Sequence, residues 1–289
     1  MFDYCCETPN LIKYNLLHNE KPIILSQEML EALERLLWYV PEISSYQCSK
    51  NELIKESIYD DFCFNYILTT IGMNEKDVKI LPRNTDIESE SATYFDKICI
   101  NCQKVILTKN ASETKSLCLL RHIRNCIAHG RFNVCHDTLI GFDYANNKHT
   151  AIIKIKPKTL LNALKLLESG ITYQHLFAYA FKNLGYAVTE EPWFNRYVDL
   201  FIEKDNKKYL IEIKKHKSGY LKEDAVEKVI LQYENTLNQM SEDTQYVLII
   251  DKVRLTKASK ELLSNQQIQI MDINEIKKLL DNNDVLNNL

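Results

Sequence analysis

The apolar residues of this chain change their period part-way along, and that change decides what the chain can fold into. Up to about residue 130 they recur at intervals of three and four, as in Met29, Leu33, Leu36, Leu37 and Val40 and again in Ile58, Phe62, Tyr66 and Ile67, the spacing of one helix face. This spacing predicts helices near 27–40, 51–71, 89–108 and 112–129, enough for a bundle, with a polar stretch at 82–91. Beyond Gly130 the segments TLIGFDY and TAIIKIK flank the turn-forming ANNKH, the pattern of a small hairpin. A helix from Thr159 to Glu168 runs up to a junction region at Ser169 and Gly170. After it the expected order is helix 173–184, strands 186–189, 198–203 and 208–214, helix 223–240, strand 246–250, a short helix, strand 268–271 and a last helix. The expected fold class is α+β: an all-α helical bundle with its hairpin over 1–157, then an α/β domain over 158–289 whose mixed sheet is flanked by helices.

Composition removes several function classes. Only six glycines occur in 289 residues and none lies near another, which excludes a Walker A loop, a Rossmann fingerprint and a kinase glycine loop. With 36 Lys and Arg against 39 Asp and Glu the net charge is -3, so any nucleic-acid site must be local. The nine cysteines are odd in number and crowded between Cys5 and Cys135, unlike a disulfide framework, which implies a reducing cytoplasm. Cys99 and Cys102 form a C-x-x-C, followed by Cys118, Cys126, Cys135 and His136. Because the pair falls inside the helix predicted over 89–108 and no second close-spaced pair matches it, these cysteines read as buried small hydrophobes, not zinc ligands. No segment has the form of a signal peptide or of the ~18 apolar residues that span a bilayer, so neither secretion nor a membrane partner is expected.

The run VDLFIEKDNKKYLIEIKKHK carries the clearest chemistry. A tight turn centred on Asp205 and Asn206 places Asp199 opposite Glu212 on one face, with Lys214 beside them. Val198, Leu200, Ile202, Tyr209, Ile211 and Ile213 then form the apolar reverse face. Two carboxylates opposed across a ladder repel unless positive charge lies between them. A hard divalent cation, Mg²⁺ or Mn²⁺, answers this, and phosphodiester hydrolysis is the chemistry implied, with Lys214 to position water or neutralise the scissile phosphate. Lys214, Lys215, His216 and Lys217 form a basic cluster that suits phosphate tracking or, equally, a solubilised strand end. Trp193 and Phe194 read as a core cap more than as a base-stacking pair.

From the helix at Tyr173 through LGY, Asp199, Glu212-Ile213-Lys214 and the helix reaching Leu237, the segment resembles the PD-(D/E)XK nucleases, and more narrowly their Mrr-like restriction endonuclease branch. The resemblance implies Asp199, Glu212 and Lys214 as catalytic positions, Asp199, Glu212 and Ile213 as metal-binding positions, and Lys215, Lys217, Gln232 and Gln174 as nucleic-acid contacts. Two departures stand out: no Pro precedes Asp199, and Gln174 replaces an acidic residue common in the family, which favours a single-metal site.

In the helical half, CLLRHIRNCIAHGRF puts Leu119, Leu120, Ile123 and Ile127 on one stripe and Arg121, Arg124, Asn125 and His129 on the other, with Gly130 as a left-handed C-cap. An Arg beside a titratable His, with no carboxylate nearby in the sequence, suits metal-independent RNA cleavage. The segment resembles the R-N-x-x-x-H signature of the HEPN ribonuclease superfamily. That resemblance implies Arg124, Asn125 and His129 as catalytic residues and a homodimer that completes the site.

The expected function is thus a metal-dependent nuclease acting on DNA or RNA, with an HEPN-like domain for dimerisation or RNA cleavage, in bacterial defence. Two alternatives stay open: a metal-independent, toxin-like HEPN ribonuclease whose C-terminal domain binds or senses nucleic acid, and a non-enzymatic dimeric nucleic-acid-binding adaptor.

Overall fold

The computed structural model describes residues 4–13, 25–38, 52–94, 97–169, 171–192, 198–214, 219–221, 223–237 and 244–286. Two compact units make up the chain, Met1–Gly170 and Ile171–Leu289. The first is not all-α. It runs β1 (Leu11–Lys13), α1 (Gln27–Trp38), α2 (Glu52–Lys55), α3 (Asp60–Thr70), β2 (Val78–Pro82), α4 (Glu88–Ala92), β3 (Lys97–Cys99), β4 (Lys104–Lys109), α5 (Lys115–Ala128), β5 (Phe132–Cys135), β6 (Thr138–Ala145), β7 (Lys148–Ile155) and α6 (Pro157–Ser169). Five of these strands form one sheet in the order β2-β4-β7-β6-β5, and β1 pairs separately with β3.

The helix expected over 89–108 is therefore wrong. Val105, Ile106 and Leu107 are consecutive and fully buried, as in a central strand covered on both faces and unlike a helix with one wet side. β4 fills that place, parallel to β2 and antiparallel to β7. Cys99 and Cys102 leave the helix with it, Cys99 ending β3 and Cys102 lying just before β4. The hairpin β6–β7 forms as its sequence predicts, turning at Asn146 and Asn147 with φ of 50° and 60°, a conformation Asn tolerates. The boundary expected at 157 moves to Gly170, because α6 buries Leu160, Leu161, Leu164 and Leu167 against α1 and α3. An ion pair from Arg35 to Glu168 ties α6 to α1.

α5 buries the predicted stripe of Leu119, Leu120, Ile123 and Ile127, and packs against β4 and β6 as well as against α1 and α3. Asp60 accepts from the N–H groups of Lys115 and Ser116 at 2.6 and 3.0 Å, and Thr114 accepts from Leu117 N–H, so its first turn is capped twice. At its other end Gly130 has φ 64°. The bonds Gly130 N–H to Ile127 O and Arg131 N–H to Cys126 O make a Schellman motif there, as the sequence predicts.

The second unit follows the expected order: α7 (Tyr173–Asn183), β8 (Ala187–Glu190), β9 (Leu200–Lys204), β10 (Lys207–Lys214), α8 (Glu223–Leu237), β11 (Thr244–Ile250), α9 (Lys257–Asn265), β12 (Gln269–Asp272) and α10 (Ile276–Leu280). Its sheet has the order β12-β11-β10-β9-β8, with β10, β11 and β12 parallel and β8, β9 and β10 antiparallel. Val226, Val229 and Tyr233 of α8 cover one face through Leu210, Tyr246 and Leu248. Phe177 and Phe181 of α7 lead through Tyr186 to Tyr209 in a run of ring contacts. Among the described residues no helix is long and apolar enough to cross a membrane.

One contact fixes how closely α5 approaches its sheet. A Cβ at Gly141 of β6 would lie 2.8 Å from Cys126 Cβ, so the absence of a side chain there sets the distance. Gly141→Ala is expected to lower stability by about 1–3 kcal/mol, read as a lower urea midpoint with unchanged slope; an unchanged midpoint would show that α5 is free to shift.

Candidate functional site

The hairpin register is the predicted one. Lys204 faces Lys207 and the ladder runs to Leu200 opposite Ile211, through a turn in which Asp205 and Asn206 have φ of 50° and 62°. Regular pairing stops there. Asp199 N–H donates to Ile211 O at 2.9 Å, and Asp199 Oδ2 accepts from Ile213 N–H at 2.6 Å, which ties this carboxylate to the strand that carries Glu212. Because pairing ends at Leu200, Val198 does not join the predicted reverse face but packs with Leu210 and Tyr246. The carboxylate face is itself largely apolar and covered, carrying Phe201 and Leu210.

Glu212 is 1% exposed. The Tyr246 hydroxyl donates to its Oε2 at 2.5 Å, and Lys214 Nζ lies 2.5 Å from its Oε1. That ion pair makes Lys214 the counter-charge of this buried carboxylate. Burial pushes the Asp199 carboxyl above the usual range; the Ile213 N–H and Lys214 pull it part of the way back, and Glu191 adds to the upward push. Burial, and then the Glu212 carboxylate, also raise the Tyr246 hydroxyl. Two carboxylates thus share one ammonium, with acceptor capacity left over. That hard-oxygen donor set fits a divalent cation.

The structure brings Asp199, Glu212, Ile213 and Lys214 together. It also brings Gln174, whose side-chain amide donates to Asp199 O at 3.2 Å and so fixes the main chain of Asp199. Gln232 lies on α8, half-buried, with a buried side-chain oxygen that has no partner; no hydrogen bond joins it to Asp199, Glu212 or Lys214 among the described residues. Lys215 and Lys217 lie outside the described residues, as do Trp193 and Phe194.

A second site lies in the first unit, on the face of α5 turned to β4, β6 and β7. Arg121, Asn125 and His129 line a cavity of about 260 Å³ with His122, Asp143, Tyr144 and Ala145. Arg124 Nη1 donates to Asn125 Oδ1 at 3.0 Å, and Asn125 Nδ2 donates to Asp143 Oδ2 at 3.1 Å, so the Arg-Asn pair continues into a carboxylate. The expectation of an Arg-His pair without a carboxylate is therefore overturned: β6 delivers Asp143, distant in sequence but adjacent in space. His122 Nδ1 meets Asp143 Oδ2 at 2.7 Å and its Nε2 meets Thr108 O at 2.9 Å. Burial pushes Asp143 up, but the bonds from His122, Asn125 and the Tyr144 N–H outweigh it and hold the carboxyl below its ordinary value. Arg121 grips Glu113 with two bonds of 2.6 and 2.8 Å and stands 4.0 Å from Asp143. His129, the C-cap of α5, is exposed at the cavity mouth. The ladder of β6 on β7 shifts register between Asp143 and Tyr144, a bulge that re-aims the strand here.

Sequence reasoning missed His122 and Asp143. Each left a trace: His122 falls on the apolar stripe of α5, and Asp143 is the one acid in the strand TLIGFDYA.

A family model described as HEPN pEK499 p136 matches residues 18–176, and one described as Restriction endonuclease matches residues 168–280. No curated protein matches the chain. Similar solved structures include a repair endonuclease from Pyrococcus abyssi, at 11% identity over 49% of this chain and 63% of that one with a TM-score of 0.28. Can2 from Sulfobacillus thermosulfidooxidans in complex with cyclic tetra-adenylate is similar at 14% identity, over 55% of this chain and 44% of that one, with a TM-score of 0.30. EndoMS in a double-stranded DNA complex is similar at 11%, over 49% and 63%, with 0.27. The chain spans less than two thirds of the length of each of these.

Two stability experiments follow from the carboxylates. Asp143 has a folded pKa below the unfolded value of about 3.9, so the stability it adds is fully present above that pH and is lost as pH falls through the folded pKa. Asp143→Asn should cost about 1–3 kcal/mol at pH 7 and lose less than the parent protein on acidification below about pH 4, as read by urea titrations across pH. Asp199 has the opposite sign, its ionised form opposing folding above its raised pKa. Asp199→Asn is expected to melt higher than the parent protein in EDTA at pH 7, and a lower melting point would contradict the burial cost assigned to that carboxylate.

Proposed function

We propose that this chain, which belongs to the HEPN pEK499 p136 family and whose residues 168–280 match a restriction-endonuclease model, hydrolyses phosphodiester bonds of DNA or RNA in a metal-dependent reaction at Asp199, Glu212 and Lys214. The observation that carries this reading is the buried Glu212 carboxylate, which meets a single ammonium, that of Lys214, among the described residues, next to an Asp199 held up in pKa by burial. Such a pair is costly in a folded protein unless a cation completes it.

Asp199, Glu212 and the main chain of Ile213 would hold Mg²⁺ or Mn²⁺, which when bound supplies Lewis-acid charge at the phosphoryl oxygens. The chain's own groups do the rest. Lys214, with a side chain 41% exposed, is placed to neutralise the scissile phosphate or orient the attacking water. Gln174, through the Asp199 carbonyl, is a positioning residue that keeps the first carboxylate in register. The HEPN-like unit contributes dimerisation or RNA cleavage through Arg124, Asn125 and His129. A homodimer, Lys215, Lys217 and Gln232 as further nucleic-acid contacts, and a role in bacterial defence complete the reading.

A second reading is favoured by one observation, the cavity in which Arg121, Asn125 and His129 converge. It makes α5 the active element of a metal-independent ribonuclease and leaves the second unit to bind or sense nucleic acid.

Cleavage of labelled DNA and RNA with Mg²⁺, Mn²⁺ or EDTA separates the two. Metal-dependent cutting that falls about 10²-fold or more in Glu212→Ala and Lys214→Ala is expected. RNA cutting that persists in EDTA, survives Glu212→Ala and disappears in His129→Ala would transfer the chemistry to α5. Binding without turnover under every condition would reject both in favour of an adaptor.

A further inference from the structure

Away from both sites, four cysteines converge. Cys5 and Cys6 precede β1, Cys99 ends β3, and Cys102 lies in the turn into β4. β1 and β3 pair antiparallel with Leu11 opposite Cys99, and this short ladder carries the amino-terminal Cys-Cys pair to the C-x-x-C turn. The four Sγ atoms all lie within 4.8 Å of one another, and those of Cys6 and Cys99 are 3.7 Å apart. Four thiolates at about 2.3 Å from a zinc ion form a tetrahedron with edges of about 3.8 Å, whereas a disulfide needs about 2.05 Å. The spacing is that of ligands around a shared ion.

The surroundings point the same way. Asn10 N–H is directed at Cys99 Sγ at 3.4 Å, the kind of main-chain donor that supports a metal-bound sulfur. Lys154 is fully buried, and no carboxylate pairs with it among the described residues. Its ammonium donates instead to Cys102 Sγ and to Cys99 O, each at 3.0 Å, with the Tyr94 ring 5.8 Å away. A buried cation of this kind needs an anion. Four thiols binding Zn²⁺ release four protons to solvent and leave a complex of net charge -2, of which Lys154 offsets one unit. We propose that Cys5, Cys6, Cys99 and Cys102 form a structural tetrathiolate zinc site that ties the amino-terminal segment to the β3–β4 turn, with Lys154 as its buried counter-charge. Soft sulfur ligands set it apart in metal preference from the hard-oxygen site at Asp199 and Glu212.

The test is metal analysis of the full-length protein purified without chelator. About one zinc ion per chain is expected, retained in the Asp199→Ala/Glu212→Ala double variant and in Cys135→Ser, and lost from Cys99→Ser. Lys154→Met should weaken zinc binding by about 10- to 100-fold. If Cys99→Ser does not fold, exchange of Co²⁺ into the unaltered protein decides the matter, because only thiolate ligation gives intense sulfur-to-metal charge-transfer absorption. Zinc that departs with the Asp199 and Glu212 substitutions would overturn the proposal. So would protein that holds no zinc and shows no charge transfer with Co²⁺, or a Cys6–Cys99 disulfide recovered without metal.

Discussion

A carboxylate on the inward side of a buried strand must be met by protons or by positive charge, and among the described residues Asp143 and Glu212 face that requirement. On β6, Asp143 receives bonds from His122, Asn125 and the Tyr144 main chain, and the sum holds it ionised against burial. On β10, Glu212 receives one phenol on Oε2 and faces one ammonium at Oε1. The first network supplies its carboxylate with three donors and stabilises its unit; the second supplies fewer, and a sparsely satisfied buried network is where a folded protein leaves room for something else to bind. Much of each unit is arranged around its acid. α5 comes close to β6 at Gly141, near the place where its polar residues reach Asp143, and α8 roofs the strands on either side of Glu212.

The second unit was legible because its information is local. Alternation over 198–214 and an Asp-Asn turn specify a register without reference to anything distant, and the ladder from Lys204 to Leu200 obeys it. What local pattern did not give was the end of pairing at Leu200, which sends Val198 to the other face, or the roof over the carboxylates. Both depend on α8 and β11, brought in from later in the chain.

The first unit was legible in α1, α5 and the β6–β7 hairpin and misread between 78 and 109. A run such as Val105-Ile106-Leu107 is equally apolar as strand or as buried helix, and only its neighbours β2 and β7, one on each side, resolve the choice. That misreading had a chemical cost. Cys99 and Cys102 assigned to a helix look like packing residues; on a strand end and a turn they stand beside Cys5 and Cys6. The carboxylate at the α5 site was invisible for the same reason, since Asp143 lies on a different element from Asn125 and meets it only across the fold.

The register shift at Asp143 and Tyr144 has a geometric outcome. A regular strand shows alternate residues to one side, yet Asp143, Tyr144 and Ala145 all border the same cavity. One short peptide therefore supplies three successive stretches of its wall. That stretch of wall is encoded by three adjoining codons, so the cavity's selectivity is open to change at Tyr144 and Ala145 while the sheet core of Leu139, Ile140 and Phe142 stays intact.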